Sequence, residues 1–214
     1  MYTYTYKFIV VGDVATGKST LVKRGNDDRY VREYNPTIGV DFAVLNVNVV
    51  DSKNEQKRVK LHIWDTSGQE MYKAIVKCYY CSAVAAFIVF DLSDKYSLES
   101  VPGWIKTIRE ESEILPKHIL LIGNKADLLR REVTRVEIDK MVDKYGLASY
   151  LETSAKTCTN VKEMFNMLAQ NVYNTYTDDY FKKNAADIVG VSPISLAVDQ
   201  PQDNNRQDKC CAIQ

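Results

Sequence analysis

The sequence predicts an α/β fold built on a mainly parallel sheet. Apolar runs of strand length alternate with runs of helical periodicity. A Gly-rich turn also joins the first strand to the first helix. Residues 4–11 read as that strand, and a helix begins near Lys18. Residues 40–50 and 58–64 read as two strands joined by the polar, charged turn at 51–57, a hairpin. Residues 84–91 and 119–123 are apolar without interruption, as strands buried on both faces are. Helical patterns lie over 97–111 and 136–145. The last helix has the clearest face: Val161, Met164, Phe165, Leu168, Ala169, Val172 and Tyr173 recur at helical spacing. Asn160 is its predicted N-cap, with Glu163 in the capping-box position. From about residue 184 the composition turns to Asp, Gln, Asn, Ser and Pro, which predicts a disordered tail.

A chain of 214 residues holds one domain with a substantial core and a tail. Lys plus Arg and Asp plus Glu are both 28, so no basic excess points to bulk nucleic-acid binding. Cys78, Cys81, Cys158, Cys210 and Cys211 do not make a disulfide framework, and the opening MYTYTYKFIVV lacks a basic, then long apolar, leader. A reducing cytosolic compartment is expected. No apolar run reaches the ~18 residues of a membrane span, so any membrane attachment has to be added by other means.

Gly12-Asp13-Val14-Ala15-Thr16-Gly17-Lys18-Ser19 fits GxxxxGK[ST] between a strand and a helix. Gly12 and Gly17 let the backbone curl so that its amides face a phosphate, and the helix N-terminus adds partial positive charge. Lys18 can reach the β- and γ-phosphates, and Ser19 can ligate Mg²⁺. This motif alone allows an ATPase, a nucleotide kinase or a GTPase.

Asn124-Lys125-Ala126-Asp127 follows the strand at 119–123. Guanine presents N1–H and an N2 amine as a donor pair. A carboxylate at Asp127 accepts from both, whereas adenine would leave it unpaired, so discrimination is large. Asn124 is expected to brace the loops and the Lys125 stem to cover a ring face. Thr153-Ser154-Ala155-Lys156 follows another short strand, and its amides can meet the guanine O6. Four residues of NKxD are weak alone. The two segments downstream of a phosphate loop, in this order, are strong.

Asp65-Thr66-Ser67-Gly68-Gln69-Glu70 ends the strand at 58–64. Asp65 can hold Mg²⁺ through water, the Gly68 amide can touch a γ-phosphate, and Gln69 can orient an attacking water. Thr37, in Asn35-Pro36-Thr37-Ile38-Gly39, can give a hydroxyl to Mg²⁺ and an amide to the γ-phosphate. With these, the chain resembles the Ras-like small GTPases over about residues 6–176. The resemblance is closest to the Rab family, through Ile38-Gly39-Val40-Asp41-Phe42, Lys60-Leu61-His62-Ile63-Trp64-Asp65, Tyr79-Tyr80 and Cys210-Cys211-Ala212-Ile213-Gln214.

The resemblance implies a P-loop G domain over residues 1–176: a six-stranded sheet, five strands parallel and 40–50 antiparallel, flanked by five helices. Residues 177–214 become a hypervariable, largely disordered tail ending in a prenylation motif. It implies a switch that binds GTP or GDP with Mg²⁺, hydrolyses GTP slowly and recruits effectors to membranes in vesicle trafficking. Ser19, Thr37 and Asp65 are the implied Mg²⁺ residues, and Gln69, Lys18 and Thr37 the catalytic ones. Gly12, Val14, Ala15, Thr16, Gly17, Lys18, Ser19, Thr20, Tyr30, Tyr34, Thr37, Gly68, Asn124, Lys125, Asp127, Ser154, Ala155 and Lys156 would meet nucleotide. Phe42, Trp64 and Tyr79 match an exposed aromatic triad that partners read, although each taken singly also suits core packing. An exchange factor, a GTPase-activating protein and prenylation and extraction chaperones are expected partners of a monomeric domain. Lipids on Cys210 and Cys211 would place it on the cytoplasmic face of an intracellular membrane, cycling with cytosol. The chain departs from the family at Ser67, Met71, Cys81 and Ser82, beside the second switch, and at Val14, where small GTPases usually carry Gly or Ser.

Other features read as structure. Cys78-Tyr79-Tyr80-Cys81 is a CxxC without a second pair, and two half-buried helix cysteines are expected there. His62 and His118 fall in strand patterns, His62 at the surface. The alternation Tyr2, Tyr4, Tyr6 has strand period and reads as packing. A P-loop nucleotide kinase is the rival enzyme class. It needs a second substrate pocket and an Arg-rich lid, for which Arg130-Arg131 is too short. A permanently GTP-loaded binding module is the rival outside catalysis.

Overall fold

The computed structural model describes residues 3–27, 37, 39–68, 79–176 and 191–194. β1 (Thr3–Val11) sits mid-sheet, and its alternating side chains feed two cores. Tyr4, Tyr6, Phe8 and Val10 pack on one side, Ile9 and Val11 on the other. The pattern repeats in β4 (Ala85–Asp91) and β5 (Ile119–Asn124), every residue of which is buried. Phe87, Val89, Leu120 and Ile122 join the first core, while Ile88, Phe90, Ile119 and Leu121 join the second. Burial on both faces is why these strands carry apolar runs without alternation.

The remaining elements are α1 (Lys18–Asp27), β2 (Val40–Val50), β3 (Gln56–Thr66), α2 (Lys95–Glu99), α3 (Val101–Glu111), α4 (Arg135–Tyr145), β6 (Ser149–Glu152), α5 (Val161–Thr175) and β7 (Val191–Ile194). The sheet runs β2-β3-β1-β4-β5-β6. Neighbours are parallel except β2, which pairs antiparallel with β3 from Val40↔Thr66 to Val50↔Gln56. Asp51 closes that hairpin by accepting from the backbone N–H groups of Lys53 and Glu55, both at 2.8 Å. Leu21 and Val22 of α1 and the apolar face of α5 cover one core. Val101, Trp104, Ile105 and Ile108 of α3, with Ile138 of α4, cover the other.

The expected elements are found, with instructive differences. The single helix over 97–111 is two: α2 begins on the Asp94 N-cap, whose carboxylate accepts from the Tyr96 N–H at 3.0 Å, and α3 restarts after Ser100. Pro102 has no N–H to continue the ladder, so the chain breaks there. The expected capping box at Asn160 is absent. Asn160 takes a left-handed conformation with φ 55°, and its amide donates to the Glu152 carbonyl at 2.8 Å instead. A capping box does form at Thr134 and Glu137, opening α4. β7 is an addition to the six strands. It pairs antiparallel with the start of β1, Tyr4↔Pro193 and Tyr6↔Val191, before β4 joins β1 at Phe8↔Ala85. A proline is tolerated there because β7 is an edge strand.

Tyr4 and Tyr6 are buried and stacked, as their period implied, while Tyr2 lies outside the described residues. His118 is not a strand residue. It ends a short 3₁₀ turn (Pro116–His118), is fully buried, and its Nε2 lies 3.0 Å from the Thr175 hydroxyl at the end of α5. Burial, and the Lys117 charge after it, lower its pKa to about 4.

Because the unfolded chain takes up this proton near pH 6.5 and the folded chain only near 4, His118 favours the folded state above that window and loses this contribution as pH falls through it. The stability difference between the wild type and His118→Gln, followed by urea unfolding, should therefore shift in the variant's favour from pH 6.5 to 4. A pH-independent difference would refute the assignment.

Candidate nucleotide site

The carboxyl ends of β1, β3, β4, β5 and β6 all lead into one cleft, beside the point where strand order reverses about β1. Gly12 leaves β1 at φ 141°, Ala15 and Gly17 also have positive φ (62° and 94°), and α1 starts at Lys18. A Cβ on Gly12 would lie 2.1 Å from the Val89 carbonyl oxygen, and one on Gly17 would lie 2.3 Å from the Asn124 amide nitrogen. Glycine is required at both positions by φ and by space.

Lys18 is buried, and its ammonium donates to the Gly12 and Asp13 carbonyls, both at 2.8 Å. Desolvation lowers its pKa to about 8, with Asp65 and then Asp13 opposing. Asp65, at the end of β3, shows the reverse. Burial raises its pKa to about 6 against the Ser19 hydroxyl and then the Lys18 charge, and both carboxylate oxygens are buried without a well-formed hydrogen bond. Ser19 and Thr37 share a 2.7 Å hydroxyl–hydroxyl hydrogen bond. A buried carboxylate without partners and two facing hydroxyls are hard oxygen donors of the kind Mg²⁺ takes. Gly68 closes on the phosphate loop from β3. A Cβ there would lie 2.6 Å from Asp13 C and Val14 N.

The second half of the cleft is tied to the first by one side chain. The Asn124 amide donates to the Thr16 carbonyl at 2.8 Å, and its oxygen accepts from the Thr153 hydroxyl at 3.2 Å. The Asp127 carboxylate accepts from the Ser154 hydroxyl at 2.6 Å and lies 3.5 Å from the Lys156 ammonium. Its pKa is lowered: burial raises it, but the Ser154, backbone and Lys156 contacts together outweigh that. Gly17, Thr20, Asn124, Lys125, Asp127, Leu128, Ala155 and Lys156 line a cleft of about 560 Å³, room for a nucleoside.

Gly12, Val14, Ala15, Thr16, Gly17, Lys18, Ser19, Thr20, Thr37, Asp65, Gly68, Asn124, Lys125, Asp127, Ser154, Ala155 and Lys156 thus belong to loops that meet around one cleft. Gln69, Tyr30, Tyr34, Cys210, Cys211 and Cys78 lie outside the described residues. Sequence reading missed Asp91, whose carboxylate holds the Lys125 ammonium at 2.6 Å. It sits at the end of an apolar strand, where a buried acid is the only sign. The triad is one surface: Phe42 and Trp64 ring centroids are 5.1 Å apart, Trp64 and Tyr79 5.1 Å, and Phe42 is 47% exposed. His62 lies against Phe42 at 5.3 Å. Tyr80 is buried, which separates it from Tyr79. Cys81 corrects part of an expectation: it is half-buried, but it lies on a turn, not in a helix.

The description "Ras family" matches residues 7–174. The chain belongs to the Ras family. Ras-related protein Rab-13 from Mesocricetus auratus is 37% identical over 172 residues, 80% of this chain and 81% of that protein. The Bos taurus Rab-13 is 36% identical over the same shares. RABA4b from Arabidopsis thaliana is 39% identical over 186 residues, 86% of this chain and 77% of that protein. The chain is therefore a Rab-like small GTPase, a guanine-nucleotide switch that binds GTP and GDP with Mg²⁺, hydrolyses GTP and works through regulators and effectors in vesicle traffic.

Asn124→Ala leaves the Thr16 carbonyl and Thr153 hydroxyl buried without their partner, a loss of about 2 kcal/mol or more. Urea unfolding of the nucleotide-free protein should show it, and a variant as stable as the wild type would refute the brace.

Proposed function

We propose that the nucleotide is held residue by residue as the cleft suggests. Lys18 and the amides of residues 13–19 hold the phosphates, Ser19, Thr37 and Asp65 hold Mg²⁺, and Asp127 selects guanine, with Ser154, Ala155 and Lys156 beside the base. The observation that carries this is the partnerless buried Asp65 carboxylate beside a desolvated Lys18 ammonium. The Lys18 ammonium is held only by neutral carbonyls and the Asp65 carboxylate is buried, so a phosphate with its cation would supply each with an opposite charge. Gln69 orients water, Tyr30 lies near the base, and Tyr34 closes over the γ-phosphate. The partly exposed Phe42–Trp64–Tyr79 cluster supports effector reading on that face.

Val14 is 45% exposed at the mouth of the loop, beside the approaching Gly68. A branched side chain there crowds the transition state more than the bound GTP. The protein should carry stoichiometric guanine nucleotide, and Val14→Gly should raise the single-turnover rate by about a hundredfold, the equivalent of ~3 kcal/mol. Equal rates would reject the Val14 argument, and bound adenine nucleotide would reject the base assignment.

The membrane anchor follows from the tail. No described helix is long and apolar enough to cross a bilayer. From residue 185 the tail carries Asp187, Asp199, Asp203 and Asp208 against Arg206 and Lys209, so no basic patch assists a single lipid. One chain binds membranes only marginally, so the second signal is a second lipid, prenyl groups on both Cys210 and Cys211. β7 ties the tail to the start of β1, the end of the sheet away from the phosphate loop. The anchored protein would sit on the cytoplasmic face, with extraction chaperones returning it to cytosol. Intact mass of protein from its native cell should show two prenyl groups. A single lipid on Cys211 with full membrane retention would overturn the two-anchor argument.

A further inference from the structure

Asp13 is the one acid inside the phosphate loop, so its negative charge has to be kept clear of a bound phosphate. Its carboxylate does not face the loop freely: Oδ1 accepts a 2.7 Å hydrogen bond from the indole Nε1–H of Trp104, 91 residues away on the first turns of α3. Trp104 is 9% exposed and packed in the core beneath that helix, so its donor is fixed in place. The same residue's main chain is the node of the loop. The Asp13 carbonyl accepts from Lys18 Nζ at 2.8 Å and Thr16 Oγ1 at 3.0 Å, and Asp13 C is one of the atoms a Cβ on Gly68 would strike, at 2.6 Å.

We propose that Trp104 is a positioning residue for the GTP-bound state: its indole N–H holds the Asp13 carboxylate away from the phosphates and so fixes the Asp13–Val14 backbone against which Gly68 closes. This rests on the phosphate-loop reading above and extends it to a residue outside every nucleotide motif. The γ-phosphate carries the charge closest to that backbone, so GTP depends on the restraint more than GDP does. When the indole donor is lost, the ionised carboxylate loses its fixed partner, and its unpinned charge beside the loop acts against the γ-phosphate. The defect then lies in the Asp13 charge, not in the missing ring.

The test compares dissociation rates of GTP and GDP from the full chain with Mg²⁺ present. In Trp104→Phe the GTP rate should rise about tenfold, the size expected for one lost charge-assisted hydrogen bond, with the GDP rate changed about twofold or less. Adding Asp13→Asn to Trp104→Phe should bring the GTP:GDP ratio back toward that of the wild type, because the released group is then neutral. Trp104 replaced by benzothienylalanine, which keeps the bicyclic shape and removes only the N–H, should reproduce the Phe effect and covers the case in which Phe perturbs the core. Equal acceleration of GTP and GDP, no acceleration in the benzothienyl protein, or failure of Asp13→Asn to rescue would each overturn the proposal. Loss of nucleotide binding by the wild type itself would instead reject the phosphate-loop reading.

Discussion

The Asn124 side chain joins two loops that the chain separates by over a hundred residues, bonding Thr16 on one side and Thr153 on the other. The fit is close enough that Gly17 has no room for a Cβ beside the Asn124 amide. A phosphate loop and a base-reading loop can act on one molecule only if their separation is fixed to a fraction of an ångström. Here it is fixed by a buried, satisfied polar contact, which has one good geometry, whereas apolar packing tolerates several. Gly17, Asn124 and Thr153 therefore stand or fall together.

Around that joint the site is electrostatically unfinished. Lys18 is a cation lowered by burial, and Asp65 is an acid raised by burial. Each opposes the other's shift only in part. Such a pair costs stability in the protein alone, and under the proposed assignment a phosphate and a divalent cation would return it. Asp127 differs. Ser154 and Lys156 already hold its carboxylate ionised, ready for a base that offers donors. The cleft thus has a carboxylate already held by partners at one end, at Asp127, and oppositely shifted buried charges at the other, at Lys18 and Asp65.

The aromatic patch shows how a surface is read from packing. Phe42 and Trp64 meet because β2 and β3 pair in a register that sets them opposite each other. Tyr79 joins from the turn at 79–82, while its neighbour Tyr80 turns into the core beneath α3. Lys7 lies 5.0 Å from the Trp64 ring centre, a cation against an aromatic face. The patch is partly exposed, and rigid because strands support it.

The fold class, the strand positions, the glycine turn after the first strand, and the face of the last helix were legible in sequence, because each rests on local spacing or on periodic burial. The runs at 84–91 and 119–123 announced double-sided burial directly, and Gly12 and Gly17 announced a turn that no side chain permits. What the sequence left open was set by contacts distant along the chain. The break at Ser100 was legible in Pro102 yet passed over, while the cap at Asn160 failed because its side chain found the Glu152 carbonyl instead. His118 left its strand pattern for a buried turn against α5, Asp91 reached Lys125, and Trp104 reached Asp13. β7 joined the sheet because β4 leaves the first residues of β1 unpaired on one side, a vacancy that only the assembled sheet reveals. Sequence fixes what a residue can offer, and tertiary structure decides which distant partner is near enough to take it.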